Sequence, residues 1–181
     1  DSLLIVEGRS GSFNLISTEL ISGNNIQLDI NFGDSVAIGD FNGDGRLDLA
    51  VSADGYDKDT LNDSDEGAIL IYLGGFSGLP SSPSITILGY APSDEIGYWG
   101  VFNLGDINGD GRDDLGFGDD DDISYIYWGS SSYSVLYDLA DEFPNSLNFT
   151  AIDDFGDFDI TNVTAVGDIN GDGYDDIAAA S

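Results

Sequence analysis

A nine-residue loop that occurs three times is the feature that most restricts what this chain can fold into. It reads DFNGDGRLD at 40–48, DINGDGRDD at 106–114 and DINGDGYDD at 168–176. Each copy has an oxygen-bearing side chain at positions 1, 3, 5 and 9, and glycine at positions 4 and 6. Calcium takes about six to eight oxygen ligands, which a short loop supplies when alternate side chains point inward and glycine allows a sharp turn. The pattern therefore predicts a calcium site in every copy.

In the first copy, this geometry selects the side chains of Asp40, Asn42, Asp44 and Asp48 and the backbone carbonyl of Arg46 as ligands. The alternative is that the aspartates only cap tight turns. Three carboxylates converging without a cation would repel each other, by up to about 4 kcal/mol per pair at about 4 Å and an effective dielectric constant of about 20. The repulsion favours the cation site.

The loop is not an EF-hand. That motif requires a bidentate Glu at position 12 of its loop, and position 12 here is Val51, Phe117 or Ala179.

Short apolar segments flank the loops in a constant order. One ends in Gly directly before each loop, as in VAIGD at 36–40, and one follows, as in LDLAVSA at 47–53, where apolar residues alternate with polar or small ones. Such alternation is typical of half-buried strands. A third and a fourth strand are predicted at 67–74 and 84–89 in the first repeat, and at 123–129 and 134–140 in the second. Four antiparallel strands per repeat form one propeller blade, so we predict an all-β fold of β-propeller blades.

The two ends of the chain each fit half a blade. SLLIVEG at 2–8 resembles a third strand, because Gly8 precedes Asp40 by the same 32 residues that separate Gly74 from Asp106. The third loop is followed by its second strand only. We therefore expect strands three and four of an incomplete blade at 1–20, full blades at 21–89 and 90–145, and strands one and two of an incomplete blade at 146–181.

These motifs resemble a known family. DFNGDGRLDLAVSA, preceded by FGDSVAIG and followed by GAILIYLGG, is similar to the FG-GAP repeat of integrin α-subunit β-propellers and their bacterial relatives. About three such repeats cover nearly the whole chain. The Phe32–Gly33 pair becomes Trp99–Gly100 in the second repeat, one residue nearer its loop, and no such pair stands directly before the third loop.

The resemblance implies that all three loops bind Ca²⁺ through the same positions. The implied ligands are Asp40, Asn42, Asp44, the Arg46 carbonyl and Asp48; Asp106, Asn108, Asp110, the Arg112 carbonyl and Asp114; and Asp168, Asn170, Asp172, the Tyr174 carbonyl and Asp176. A cation bound only by the native state stabilises that state, so calcium is expected to be part of folding.

Composition argues against several partners and activities. The chain has 35 acidic and 4 basic residues, a formal net charge of −31, and no Cys or His. So acidic a surface repels nucleic acid and anionic membranes, and no apolar run approaches the ~20 residues of a membrane span. Without imidazole or thiol groups, a glycosidase-type carboxylate pair remains, and nothing marks two of the Glu residues as partners. We therefore expect no enzyme activity, no nucleic-acid binding and no membrane insertion.

The expected location is secreted or at the cell surface, where calcium is millimolar. The chain begins at Asp1 without a leader, which we interpret as a mature or excised piece of a longer product. Three sequons, at Asn62, Asn148 and Asn162, would be glycosylation acceptors in that location. Chance occurrence in an Asn- and Ser-rich chain is the alternative.

The expected function is that of a structural or adhesive module whose blades are rigidified by calcium. Its ligand would be a protein or a glycan, and the alternative is an accessory module of a larger secreted enzyme or adhesin. Four aromatic residues could either stack on such a ligand or pack between blades: Tyr90, Tyr98, Trp99 and Trp128.

Three repeats are fewer than the about four to eight blades of a closed propeller. Either the chain is part of a longer propeller, or copies complete each other's split blade head to tail and form a ring or fibre.

Two acidic segments lie outside the loops. The first full repeat contains an extra polar stretch, YDKDTLNDSDEG at 56–67, and the second contains a run of four Asp at 119–122. Each is either a solvated surface loop or a second cation site. In the first segment, such a site would use Asp57, Asp59, Asp63 or Asp65.

Overall fold

The computed structural model describes residues 2–9, 12–22, 30–58, 64–120, 123–142, 147–152 and 162–180. These residues form strands, turns and one single-turn helix, α1 (Leu139–Glu142), and the all-β prediction is confirmed. None of the described helical structure is long and apolar enough to cross a membrane. The strands are β1 (Ser2–Arg9), β2 (Ser12–Ser22), β3 (Val36–Gly39), β4 (Asp48–Ala53), β5 (Ala68–Tyr72), β6 (Ile85–Leu88), β7 (Val101–Gly105), β8 (Asp114–Gly118), β9 (Ser124–Tyr127), β10 (Leu136–Asp138), β11 (Phe149–Ile152), β12 (Asn162–Gly167) and β13 (Asp176–Ala180).

The first sheet contains the first full repeat. Strands β3, β4, β5 and β6 pair antiparallel in sequence order, as a propeller blade requires. Both β4 and β5 are buried along their whole length. Side chains alternate between two apolar clusters, so that Ile69 and Ile71 face one side of the sheet and Leu70 and Tyr72 the other. The sheet is therefore packed on both faces.

The second sheet contains the second repeat, with strand order β11-β9-β8-β7, all antiparallel. Its fourth strand is β11, Phe149–Ile152, so the prediction of that strand at 134–140 is wrong. The sheet consequently extends past residue 145, where the sequence places the end of the second blade.

The segment predicted as that fourth strand joins the first sheet instead. Strand β10 pairs in parallel with β6 and becomes a fifth strand at the outer edge, which covers backbone groups that an edge strand would expose. Tyr137 of β10 is buried, and its ring contacts those of Tyr127 and Phe149 at centroid distances of 5.9 and 5.2 Å. This aromatic contact between the repeats accounts for the position of β10.

The remaining strands form two hairpins. β1 pairs antiparallel with β2, and β12 pairs antiparallel with β13 across the third loop. Both hairpins lie where the sequence predicts strand pairs, and their assignment to two incomplete blades stays a prediction.

Adjacent repeats share apolar cores. One cluster combines Ala37 and Ile69 of the first sheet with Leu115 and Phe117 of the second. A smaller cluster joins Leu104 of the second sheet to Val163 of β12. The repeats therefore pack side by side in chain order.

Candidate metal centre in the repeated loops

All three loops occupy the same place in their repeats. They connect β3 to β4, β7 to β8 and β12 to β13, which are the first two strands of each predicted blade. The predicted ligands of each copy therefore lie in one hairpin connection.

The same hydrogen bonds close every loop. In the first, Asp40 Oδ1 accepts the N–H of Asp44 at 3.0 Å and Asp40 Oδ2 accepts the N–H of Gly45 at 2.8 Å. Asn42 Oδ1 also accepts the Asp44 N–H, at 2.9 Å, and Asp44 Oδ1 accepts the Arg46 N–H at 3.0 Å. The other two loops repeat all four bonds at 2.8–3.1 Å. Backbone N–H groups, chiefly that of Gly173, lower the pKa of Asp168 at position 1 of the third loop.

The position-9 carboxylate ties the loop to the rest of its sheet. Asp48 accepts N–H groups of Phe41 at 3.0 Å and Gly74 at 2.8 Å. In the second loop, Asp114 accepts those of Ile107 at 3.2 Å and Gly129 at 2.9 Å. The first donor of each pair lies in the loop, whereas the second follows the third strand of the blade.

Burial and charge act together on these two carboxylates. Burial raises the pKa of Asp48 to about 6 and that of Asp114 to about 7, although their backbone hydrogen bonds lower it. The carboxylates at positions 5 and 1 of the same loop contribute to both increases. Burial and the neighbouring carboxylates therefore disfavour the ionised form of these two side chains.

The side chain at position 7 has a role that sequence reasoning missed, since only its carbonyl was predicted to act. Arg46 pairs with Asp44, and its Nε donates to the Gly74 carbonyl at 3.0 Å. Arg112 pairs with Asp110 at 3.1 Å and donates in the same way to Gly129 at 3.1 Å. The guanidinium groups partly neutralise position 5 in two loops, whereas the third loop has Tyr174 at this position.

The predicted ligands have the donor atoms that a hard cation prefers, but they are not arranged as a metal site. Every predicted ligand supplies oxygen, the donor that calcium prefers. Each carboxylate oxygen has two lone pairs, so one bound N–H group does not exhaust it. Among the described residues, however, no three acidic side chains are grouped so that they could hold a metal ion. The donor set is present without a formed coordination shell.

Position 2 of the loops forms contacts between repeats. Phe41 is 1% exposed and belongs to the core shared by the first two sheets, and its carbonyl accepts the N–H of Ser130 at 2.9 Å. Ile107 is packed against the smaller cluster. At the same position of the third loop, Ile169 is 75% exposed. Phe41 and Ile107 thus pack toward the repeat that follows, whereas Ile169 has no such packing among the described residues.

The four aromatic residues divide into two groups. Trp128 packs against the smaller cluster, and its Nε1 donates to Thr150 Oγ1 at 3.0 Å. Tyr90, Tyr98 and Trp99 are exposed, and the last two form an edge-to-face pair with ring centroids 5.1 Å apart. Trp128 thus packs between blades, as one of the two interpretations expected, whereas the side chains of the other three are accessible to solvent.

The first acidic segment is held by its own hydrogen bonds. Asp57 accepts the N–H groups of Ser64 and Asp65, at 2.5 and 2.9 Å, and Glu66 accepts from the N–H of Lys58 and the hydroxyl of Ser64. The other proposed ligands of this segment, Asp59 and Asp63, lie outside the described residues.

In the second acidic segment, Asp119 is buried and accepts the N–H of Ile123 and the hydroxyl of Tyr125. Asp121 and Asp122 lie outside the described residues. These contacts order a local turn, and the choice between a surface loop and a second cation site stays open.

Two of the three sequon asparagines lie among the described residues. Asn148 is half-buried directly before β11, Asn162 begins β12, and Asn62 lies outside the described residues. Glycosylation stays a prediction.

Comparison with known proteins supports the repeat assignment. The profile of the FG-GAP repeat matches residues 32–72 and 161–181. These ranges include the first and third loops, and the second loop shares their hydrogen bonds although it lies outside them.

Two mammalian proteins are similar to parts of the chain. Phosphatidylinositol-glycan-specific phospholipase D of Bos taurus is 37% identical over 112 residues, which are 57% of this chain and 13% of that protein. The Homo sapiens protein of the same name is 39% identical over 88 residues, 48% of this chain and 10% of that protein. The chain thus spans only a small part of the length of these relatives.

Proposed function

We propose that this chain, in which residues 32–72 and 161–181 match the FG-GAP repeat, is a calcium-stabilised β-propeller module of a larger extracellular protein. The observation that carries the proposal is the repetition of one oxygen donor set, with the same internal hydrogen bonds, in three loops. Repeated loops with identical closure are expected where each must present the same ligands.

When bound, calcium supplies positive charge among the clustered carboxylates. The chain's own residues do the rest: positions 1, 3 and 5 shape the loop through backbone N–H groups, and position 9 connects it to the end of the third strand. A loop ordered in this way holds the first two strands of its blade together. The proposed role is therefore mechanical, a rigid support for a structural or adhesive surface.

The size of the relatives supports a module rather than a complete enzyme. The similar segments make up 13% and 10% of two phospholipases D, and the FG-GAP repeat is a non-catalytic module. We propose that the chain serves as an accessory part of a larger secreted or cell-surface protein, for which the exposed Tyr98–Trp99 pair offers a contact surface for protein or glycan.

Calcium titration by isothermal calorimetry tests the binding proposal. The chain, first stripped with EGTA, is expected to bind three Ca²⁺, one for each loop. Each of the variants Asp44→Asn, Asp110→Asn and Asp172→Asn is expected to lose one site, because each removes one carboxylate from a different loop. Magnesium is the matched control ion: it demands near-octahedral geometry and dehydrates reluctantly, so it should bind more weakly. Absence of calcium binding, or a stoichiometry unaffected by all three variants, contradicts the proposal.

A second candidate function is assembly of copies, and one observation favours it. Ile169 of the third loop is 75% exposed, whereas Phe41, at the same position of the first loop, is 1% exposed and packs against the repeat that follows. Another blade would cover this face, supplied either by a longer chain or by a second copy placed head to tail.

Size-exclusion chromatography with light scattering, with and without calcium, separates these sources of the covering blade. If copies complete each other's blades, calcium should shift the 19.1 kDa chain to rings or open polymers. Ile169→Asp should then return it to monomer, because a charge would be buried in the interface. A chain that remains monomeric in calcium contradicts self-assembly and leaves the longer propeller as the source.

A further inference from the structure

One residue of the second loop and one of the third reach back to the loop before them. Asp113 Oδ2 accepts the backbone N–H of Asp40 at 2.8 Å, and the Asp113 N–H donates to the Asp40 carbonyl at 3.1 Å. One repeat later, Asp175 Oδ2 accepts the N–H of Asp106 at 3.0 Å, and the Asp175 N–H donates to the Asp106 carbonyl at 3.2 Å. Position 8 of one loop thus holds both backbone groups of position 1 in the preceding loop. We call this pair of bonds the inter-loop contact.

The glycine before each loop makes room for the inter-loop contact. A Cβ added to Gly39 would lie 2.8 Å from Asp113 Oδ2, and one added to Gly105 would overlap with Asp175 Oδ2. A Cβ added to Gly167, which precedes the third loop, would meet nothing within 4 Å. A side chain at Gly39 or Gly105 would therefore displace the carboxylate that forms the inter-loop contact.

Position 7 packs at the same junctions. A Cβ added to Gly43 of the first loop would lie 2.7 Å from Cγ of Arg112, and one added to Gly109 of the second loop would overlap with the ring of Tyr174. Gly171 of the third loop has open space instead. The side chains at positions 7 and 8 therefore connect the second loop to the first and the third loop to the second.

The first loop differs at position 8, where it has Leu47 in place of aspartate. Leu47 is 67% exposed, and leucine cannot accept a hydrogen bond from a backbone N–H group. Position 8 therefore forms the inter-loop contact in the second and third loops, where it is aspartate, but not in the first, where it is leucine.

We propose that Asp113 and Asp175 are positioning residues that hold the first calcium ligand of the preceding loop, so that ordering passes from each loop to its N-terminal neighbour. This inference rests on the proposed calcium function. Position 1 supplies a ligand and closes its loop through two bonds, and the inter-loop contact fixes the backbone from which that ligand extends. Calcium in the second loop would order 106–114, including Asp113, and thereby favour the binding form of the first loop. By linkage, calcium in the first loop would favour binding in the second to the same degree.

Hydrogen exchange at single amides, followed by NMR on the full chain, tests this coupling. Asp113→Leu is expected to speed exchange of the Asp40 amide by about tenfold or more, the effect of losing one hydrogen bond to a charged group. Asp175→Leu should do the same to the Asp106 amide and have a smaller effect, passed on through the second loop, at the Asp40 amide. Both substitutions introduce the residue that the first loop has naturally. Leu47→Ala, at the same loop position, is the matched control and should change none of these amides.

Two further arms keep the test decisive. Asp113→Asn retains an oxygen acceptor and nearly the same volume, so it should fold and give a smaller acceleration at Asp40 without affecting the third loop. Exchange is measured in EGTA, at a temperature where that form is folded, and again in calcium. Acceleration confined to the substituted loop, or equal in all three loops, overturns the inference. If calcium does not change the amide exchange rates of the wild-type protein, the calcium proposal is contradicted instead. The comparison of variants in EGTA then still decides whether the inter-loop contact orders position 1.

Discussion

Adding EGTA is expected to lower the melting temperature of this protein by about 15–30 °C. A ligand at about 100 times its Kd stabilises the native state by about 2.7 kcal/mol per site, and three sites give about 8 kcal/mol. For a chain of this length, each kcal/mol corresponds to about 2–4 °C. The physical reason is the concentration of carboxylates in each loop, where Asp48 and Asp114 are buried beside two further acids. Differential scanning calorimetry measures the shift.

The control is a triple variant, Asp44→Asn, Asp110→Asn and Asp172→Asn, which removes one carboxylate from each loop. It should melt at nearly the same temperature with and without EGTA, because its sites no longer bind calcium tightly. Adding excess calcium to the EGTA-treated wild-type protein should restore its melting temperature, and adding magnesium should restore it less. A wild-type melt that EGTA leaves unchanged would falsify the role of calcium in folding.

Replacing Phe41 by alanine is expected to cost about 3–5 kcal/mol of the free energy of unfolding, the range for truncating a buried aromatic side chain. Phe41 is 1% exposed and lies in the core shared by the first and second sheets. Its removal leaves a cavity between two repeats, and the surrounding strands can close that cavity only in part. Urea denaturation in excess calcium measures the loss.

Ile169→Ala is the matched control because Ile169 occupies the same loop position and is 75% exposed. Its loss should stay within about 0.5 kcal/mol, as for most surface substitutions. Similar losses for the two variants would mean that Phe41 does not act as a contact between repeats. A large loss at Ile169 that grows with protein concentration would instead indicate that a second copy covers it.

Much of the fold could be predicted because the repeat carries its pattern locally. Strands β3, β4 and β5 are bounded by the loop and by glycines; the residues around β4 alternate with the period of a strand, and β5 is a short continuous apolar run. The similar spacing of the copies then predicted the hairpins at 2–22 and 162–180. The hydrogen bonds that close each loop followed from the same nine residues.

The fourth strand of the second sheet could not be predicted in this way. The segment at 134–140 has the alternation of a strand and the expected place in the repeat, and its central part does form one, β10. Its partner, however, is β6 of the preceding repeat. That choice depends on the buried contact of Tyr137 with Tyr127 and Phe149, which local periodicity does not encode.

The sequence by itself determined the inside of each loop, because its donors and acceptors lie within seven residues of each other, as with Asp40 and Gly45 or Phe41 and Asp48. Only the tertiary structure decided what joins one loop to the next. Asp40 meets Asp113 across 73 positions and Asp106 meets Asp175 across 69. Their hydrogen bonds form only after the repeats have packed. The same packing decides that Phe41 is buried and Ile169 is exposed, although each occupies position 2 of its copy of the nine-residue loop.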